Sequence, residues 1–468
     1  MKTKCIMNDK NRCVQWIALV LIIFFFGSCS DGENGAVFDP GKPISISSFS
    51  PEMGGANTRL VLTGQNFGTN ADNIVVTVGG ARATVVGANG SYLYVVVPKK
   101  ASEGTIEVII YNDEGMEQAR TTASAKFEYV TKRLVTTLVG HVDERGEYEI
   151  IDGPFGNAGG IAKIGWLSFD PKNPDHLYLV GDQTAARLID LKNKYLSTLY
   201  VDGGLGGVMY RMRSISWTLT GDTMVVSTWR SSTPQSNAIL TRNNQFKSSP
   251  FLITGTRRCS GSAVHPVNGE LYLGESESGS FYRYDINTGV TSPALFQVQS
   301  TNTDFKIVIH PTGNYAYLCL ADKGTIMRTD YNWQTKMFTT PYVFCGDPNP
   351  NNRGWADGVG KRARLHSPFQ GVFVKNPDYA GREDEYDFYF CDRGNHSVRV
   401  VTPEGFVSTF AGRGSVSADN SVHGYVDGDL REEARFNSPE GIAYDDVNDI
   451  FYIGDTSNHR VRKIAWED

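Results

Sequence analysis

The sequence predicts an all-β chain of two domains: a two-sheet sandwich, then a six-bladed β-propeller closed by its own N-terminal strand. Three observations carry that expectation. Glycine is frequent at 49 residues and aromatic residues reach 11%, which suits short strands joined by tight turns. Two segments near the C-terminus also read in parallel. Ala356-Asp357-Gly358, Ala363-Arg364-Leu365, Tyr386–Asp392 and Asn395–Arg399 answer to Val426-Asp427-Gly428, Ala434-Arg435-Phe436, Ile450–Asp455 and Asn458–Arg462. Finally, the first segment continues into Phe406–Gly412, the second has no such continuation before Asp468, and Leu134–Gly140 supplies it. A repeat array completed by its own beginning is a ring, and several short strands per repeat make that ring a propeller.

The N-terminus reads as a targeting segment. Lys2, Lys4, Lys10 and Arg12 form a positive region ahead of the apolar run Val14–Phe26, which is short beside the ~20 residues that a membrane span needs. Gly27-Ser28 then precede Cys29. This resembles a bacterial lipobox, with Phe26 where leucine is usual, and it implies a signal peptide over residues 1–28 and a diacylglycerol on the Cys29 thiol. The alternative is an ordinary signal peptide with an incidental cysteine. Ser30-Asp31-Gly32-Glu33 follows and resembles the surface-export signal of outer-membrane lipoproteins in glycan-foraging gut bacteria. Residues 29–42 are polar and rich in Gly, Asp and Pro, as a tether is. Four internal cysteines remain, Cys259, Cys319, Cys345 and Cys391, without CxxC spacing, and they read as small buried hydrophobes.

Residues 43–130 form the first domain. Short alternating strands punctuated by glycine turns make a two-sheet sandwich, and Gly64 and Gly68 flank a turn expected to need positive φ. The order Ser50-Pro51, Gly54-Gly55, Gly64-Gln65-Asn66-Phe67-Gly68, Val78-Gly79-Gly80, Val97-Pro98 resembles the immunoglobulin-like IPT/TIG family over its full length. No catalytic constellation is visible in it, and its expected role is that of a spacer.

Residues 131–468 form the propeller. Outer strands are expected at 195–201, 246–253, 292–298, 338–345, 406–412 and 134–140. Inner strands are expected at 165–170, 214–217, 261–266, 307–311, 371–374 and 441–445. Blades five and six resemble NHL repeats through "D-G … A-R-F/L … G-I-A … Y-I-G-D … N-H-R-V-R", while blades two to four are degenerate.

Most polar residues in the array recur blade by blade, and recurrence argues for structure. Asp392 with Asn395, and Asp455 with Asn458, read as hairpin-turn residues. Asp152-Gly153, Asp357-Gly358 and Asp427-Gly428 read as turns in long connections. His265 and His310 share one repeat position, and His396 and His459 share another. There is no HExxH, paired CxxC or nucleophile elbow, so neither a metal, a cofactor nor a catalytic residue is assigned. The net charge of −6 offers no broad basic footprint for nucleic acid.

The residues that break the repeat are more informative. Tyr210, Arg211 and Arg213 precede or open the inner strand of blade two, Trp229 follows its second strand, and Arg257 and Arg258 precede the inner strand of blade three. Glu275, Glu277, Asn302, Asp304 and Gln370 occupy neighbouring positions. Arg beside aromatic rings makes a platform, because rings stack on sugar faces and guanidinium forks bond hydroxyls or carboxylates. The bland alternative is an Arg network paired with nearby carboxylates. We therefore expect Tyr210, Arg211, Arg213, Trp229, Arg257 and Arg258 to line a ligand site at the channel mouth.

The whole layout resembles the surface lipoproteins that accompany polysaccharide importers of the starch-utilisation type. That resemblance implies capture of an oligo- or polysaccharide at the outer membrane, beside a TonB-dependent importer and its companion binding lipoprotein. Contact with the membrane is expected through the lipid anchor only. A protein-interaction propeller and a polysaccharide lyase or hydrolase are the alternative functions.

Overall fold

The computed structural model describes residues 36–467 apart from 99–100, 102, 147, 233–234, 248–250, 299–300 and 415–421. Cys29, and the lipidation expected there, lie outside the described residues. The chain forms two compact units, with residues up to 53 and 57–128 in one and 54–56 and 129–468 in the other.

The first unit is an antiparallel β-sandwich. Ser45–Ser50, Arg59–Gln65, Tyr92–Val96 and Ala81–Ala88 lie side by side. Ile74–Val78, Gly104–Tyr111 and Glu117–Tyr129 form the second layer, and Ala81–Ala88 also pairs with Ile74–Val78. Period-two alternation buries Leu60 and Leu62, Val76 and Val78, Leu93 and Val95, and Ile106 and Val108, as strands covered on one face require. The two glycines of the turn serve different ends. Gly68 is left-handed at φ 77°. Gly64 is not; it is needed because a Cβ there would lie 2.0 Å from the Ser45 carbonyl and 2.3 Å from the Phe67 ring.

The second unit is a ring of six antiparallel sheets. Its inner strands are Trp166–Asp170, Met212–Trp217, Cys259–Val264, Phe305–Ile309, Pro368–Lys375 and Pro439–Asp445. Ring closure is as the repeat demands: Arg133–Val139 pairs with Arg460–Trp466, with Val135 opposite Ile464 and Val139 opposite Val461. Leu134, Val135 and Val139 are buried in the sixth blade.

Three outer strands differ from expectation. In blade two the strand is Phe251–Thr254; Phe246 instead takes a left-handed φ of 59° and packs edge-on against Tyr178 and Trp217. In blades three and four the expected strand is split, into Val290–Thr291 with Phe296–Gln297 and into Met337–Phe338 with Tyr342–Cys345. Pro293 and Pro341 lie in the two gaps, and proline has no N–H to give the ladder.

The Asp-Gly pairs need a correction. They do not merely turn the chain: Gly153–Pro154, Gly358–Val359 and Gly428–Asp429 each add a fifth, outermost strand to blades one, five and six. The preceding aspartates reach inward to fully buried arginines, Asp152 to Arg187, Asp357 to Arg399 and Asp427 to Arg462. In blades five and six the same arginine also meets the buried turn aspartate, Arg399 to Asp392 at 3.2 Å and Arg462 to Asp455 at 2.8 Å. Asn395 and Asn458 donate to those aspartates at 2.6 and 2.8 Å.

The repeated histidines are structural as well. The His265 ring meets the Gly313 carbonyl, His396 Nδ1 accepts from the Ser438 N–H, and His459 Nδ1 lies 3.0 Å from the Ala162 carbonyl. His310 pairs with Asp384 at 3.3 Å. The four internal cysteines are buried and free.

Candidate functional site

The inner strands all enter at one end of the channel, and the repeat-breaking residues of blade two gather there. Arg211 ends the approach to the inner strand with a left-handed φ of 48°, and its N–H donates to Asp202 at 2.7 Å. Its guanidinium forks onto Asp182 of blade one, at 2.5 and 2.8 Å. The Trp229 backbone N–H donates to the carbonyls of Tyr210 and Arg211, which holds the Trp229 main chain beside both residues. The Arg213 guanidinium lies over that indole at 4.3 Å, with Arg211 at 5.8 Å. Trp229 thus carries a cation on its ring, and Tyr210, 41% exposed, is the open aromatic face of the cluster.

Arg213 is poorly satisfied. Its side chain is 10% exposed, its Nη atoms stand 3.6 Å from Asp182 and 3.9 Å from Asp304, and its Nε has no partner. A buried guanidinium normally spends its N–H groups on close acceptors, because leaving them unpaired costs free energy. Here the carboxylates are near enough to hold the charge and too far to complete the hydrogen bonds.

Two charges missed in the sequence, Lys306 and Glu440, lie deeper at the same end. Lys306, 1% exposed, donates to Asp304 at 3.0 Å and to the Ser260 carbonyl at 2.9 Å. Its ammonium stands 4.6 Å from the Phe369 ring centre. Glu440, 8% exposed, pairs with Arg393 at 3.1 Å. Burial lowers the Lys306 ammonium below its ordinary value, and Asp304 only partly restores it. Burial raises the Glu440 carboxyl, and Arg393, Lys306 and Arg213 pull it back incompletely. Burial works against the charge of Asp304 too, but Lys306 and Arg213 outweigh it and the carboxyl is held low. Asp182 is also held low, its burial outweighed first by the Arg211 fork. A lone Lys inside Phe305–Ile309 and a lone Glu at the start of Pro439–Asp445 were the available signals.

The other expected residues divide. Arg257 is exposed, and its backbone N–H donates to Glu275 at 2.7 Å. Arg258 is left-handed at φ 47° and joins the cluster through its N–H to the Arg230 carbonyl. Their guanidinium groups make no hydrogen bond or ion pair among the described residues. Asn302 donates its N–H to the Glu277 carbonyl. Gln370 is no rim residue: buried, it bridges blades one and six, accepting from the Leu167 and Ile442 N–H groups at 2.8 and 3.0 Å and donating to the Leu167 carbonyl at 2.7 Å. It also lines a cavity of about 650 Å³ away from the charged cluster.

A sandwich domain ahead of a six-bladed ring, sealed by the ring's own first strand, defines a two-domain propeller protein of the IPT/TIG and NHL kind. Residues 43–129 match the IPT/TIG domain and residues 436–464 the NHL repeat. An auxiliary nutrient binding protein from Bacteroides thetaiotaomicron is 50% identical, with a TM-score of 0.84 over 92% of this chain and 100% of that one. An auxiliary nutrient binding protein from Bacteroides ovatus is 39% identical, with a TM-score of 0.70 over 92% of this chain and 100% of that one. A third protein, from B. thetaiotaomicron and named as a candidate phosphatase, is 38% identical, with a TM-score of 0.76 over 93% of this chain and 99% of that one. The chain belongs to the family these two-domain proteins form. Among curated proteins, NHL repeat-containing protein 2 of Bos taurus is 29% identical over 126 residues, 26% of this chain, and the chain spans 15% of that relative's length.

Proposed function

We propose that this protein captures an acidic glycan as a nutrient, with the charged end of the propeller channel as its binding site. The observation that carries the reading is Arg213: a guanidinium nine-tenths buried, stacked on Trp229, with no close acceptor. A carboxylate or sulfate on a sugar would supply the missing acceptor, and charge-assisted bonds of this kind are the strong ones. Arg211, Arg213, Lys306 and Arg393 share the mouth with Asp182, Asp304 and Glu440, and Arg257 and Arg258 lie near Glu275, so the reading rests on the unmet N–H groups of Arg213 and not on an excess of positive charge. Tyr210 offers the open ring for a sugar face. The family relationship to two auxiliary nutrient binding proteins supports the nutrient part of the reading.

Around this site we place the remaining expectations: a lipid on Cys29 anchoring the chain to the outer membrane, the sandwich as a spacer, and a TonB-dependent importer with its companion lipoprotein as partners. A catalytic role fits less well. Lys306 has an amine whose proton is loosened by burial, but it is 1% exposed and already donates to Asp304 and Ser260, so a substrate does not reach it. A protein partner at the same face would need no acidic group.

The test is calorimetry with an oligogalacturonate and a neutral oligosaccharide of equal length. Arg213→Gln should cost the acidic ligand about 1.5–3 kcal/mol, the worth of a hydrogen bond to a charged group. Trp229→Ala should cost about 0.5–2 kcal/mol by releasing the stacked guanidinium. Thermal melts of both variants check that folding is kept. Equal affinity of wild type and Arg213→Gln for the acidic ligand would sink the proposal.

A further inference from the structure

The channel has a second end, and its chemistry is the opposite of the first. The cavity of about 650 Å³ runs along five of the inner strands and reaches the ends at which they finish. Its volume falls in the ~300–1,000 Å³ range of small-molecule sites. Its walls are Phe169 and Trp217 on blades one and two, Phe373 and Tyr386 on blade five and Tyr444 on blade six, all half-buried. Rings in a finished core are covered; these five are left partly open around one space.

The polar groups among them are few. Ser168 Oγ accepts from the Trp217 indole N–H at 3.0 Å, which fixes that ring's orientation. Ser216 Oγ lies 3.1 Å from Ser262 Oγ. The Tyr386 hydroxyl has no hydrogen-bond partner among the described residues. The charged side chains on the lining are one of each sign, Lys375 and Asp446, and Lys375 is already paired with Glu385 at 2.7 Å. Nothing here resembles the dense cluster of buried charges at the other end. Gln370, held by three hydrogen bonds to blades one and six, also lines the cavity.

We infer that this cavity is a second ligand site, specific for an uncharged sugar unit. Flat half-open rings suit the C–H faces of a pyranose, and a few fixed hydroxyls can bond its O–H groups. With Lys375 already paired, the charge left on the lining is the negative Asp446, which disfavours an anion, and a charged ligand would meet an uncompensated desolvation cost. The protein would then hold a glycan at two places with different demands, an acidic residue at one end of the channel and a neutral one at the other. This inference does not depend on the acidic site, since none of the charged residues of that site lines this cavity.

The experiment uses the whole protein from residue 30 onward. Saturation-transfer NMR and calorimetry are run with neutral hexasaccharides of α-1,4-glucose, β-1,4-glucose, β-1,4-mannose and β-1,4-xylose. At least one should bind the wild type. Ser216→Phe, which fills the cavity, and Tyr386→Ala, which removes one wall, should each weaken that binding more than 10-fold, with melting temperatures recorded for both. If one variant fails to fold, the other decides. The inference is overturned if no neutral hexasaccharide binds, or if binding is unchanged in a folded variant. It is overturned equally if the wild type binds only peptides from a hexapeptide pool and Ser216→Phe abolishes that, since the cavity would then be a peptide site.

Discussion

Replacing Arg399 with methionine tests whether the buried arginines hold the blades together. The Arg399 side chain is wholly buried. Its guanidinium donates to Asp357 at 2.8 Å, Asp392 at 3.2 Å and the carbonyls of Ala356 at 3.1 Å, Ser408 at 3.3 Å and Arg364 at 3.5 Å. Methionine keeps most of the aliphatic stem, so the loss isolates the charge and its hydrogen bonds. Asp357 is 46% exposed, and water takes Arg399's place there at little cost. Asp392 is 0% exposed and has no such recourse. Breaking a buried pair by removing one partner costs about 3–5 kcal/mol, a large part of a typical folding margin. The sign of the pH effect is fixed too. Burial already holds the Asp392 carboxyl above its ordinary value, with Arg399 opposing. Without Arg399 it rises further, so over a wider pH range the folded protein binds a proton that the unfolded chain does not. Stability of the variant therefore falls as pH rises through that raised value. The assay is urea unfolding followed by tryptophan fluorescence, which reports on the propeller because residues 43–130 contain no tryptophan. Arg399→Met should lose about 3–5 kcal/mol at pH 8 and less at a lower pH, where the Asp392 carboxyl is protonated. A loss under about 1 kcal/mol, the worth of a surface pair, or an equal loss at both pH values, would refute the reasoning.

Further outcomes are expected. A chain starting at His141 should be less stable than one starting at Thr131 by about 4–9 kcal/mol, from Leu134, Val135 and Val139 leaving the core; equal urea midpoints would mean that the ring does not close through this strand. Glu440→Gln should bind an oligogalacturonate more tightly at neutral pH and flatten its pH profile, because wild-type Glu440 takes up a proton as pH falls through its raised value and the mouth loses a negative charge; superimposable pH profiles would exclude Glu440 from the site. Cys29→Ser should abolish incorporation of a radiolabelled fatty acid, and equal labelling of both proteins would reject the lipid anchor.

The ring was legible because closure is a property of the repeat. Phe406–Gly412 and Leu134–Gly140 carry the same apolar pattern, and Arg133–Val139 pairs where that pattern requires. The outermost strands were not legible, since Asp-Gly is a turn signal in isolation and becomes a strand start only when Arg399 or Arg462 waits behind it. The same arginines stand in the repeated Asn-His-x-Val-Arg motif, so their recurrence was visible while their partners, some forty residues away, were not. At the mouth, Arg211 and Trp229 were found by their breach of the repeat. Their division of labour was not, because the position of Asp182 across the blade boundary decides which arginine is satisfied.

That division explains why a repeat protein places its departures from the repeat where it does. An arginine that recurs in the well-formed blades, such as Arg399 or Arg462, meets carboxylates at 2.5–3.2 Å and several carbonyls besides; its Nη groups are spent within its own blade, although the buried Nε of Arg462 has no partner, as in Arg213. Arg213 recurs nowhere, draws on carboxylates from blades one and four, and remains incomplete. Both kinds are buried, so burial does not separate a structural arginine from one held ready for a ligand. The number of close acceptors does. By that measure Arg211 belongs with the structural group, forked onto Asp182, and its task is to hold the Asp182 carboxylate away from Arg213. Replacing Arg211 should therefore let Asp182 close on Arg213 and weaken an acidic ligand indirectly, whereas replacing Arg213 removes the contact itself. Arg211→Gln with Asp182→Asn should then recover binding that Arg211→Gln alone loses, and Arg213→Gln with Asp182→Asn should not.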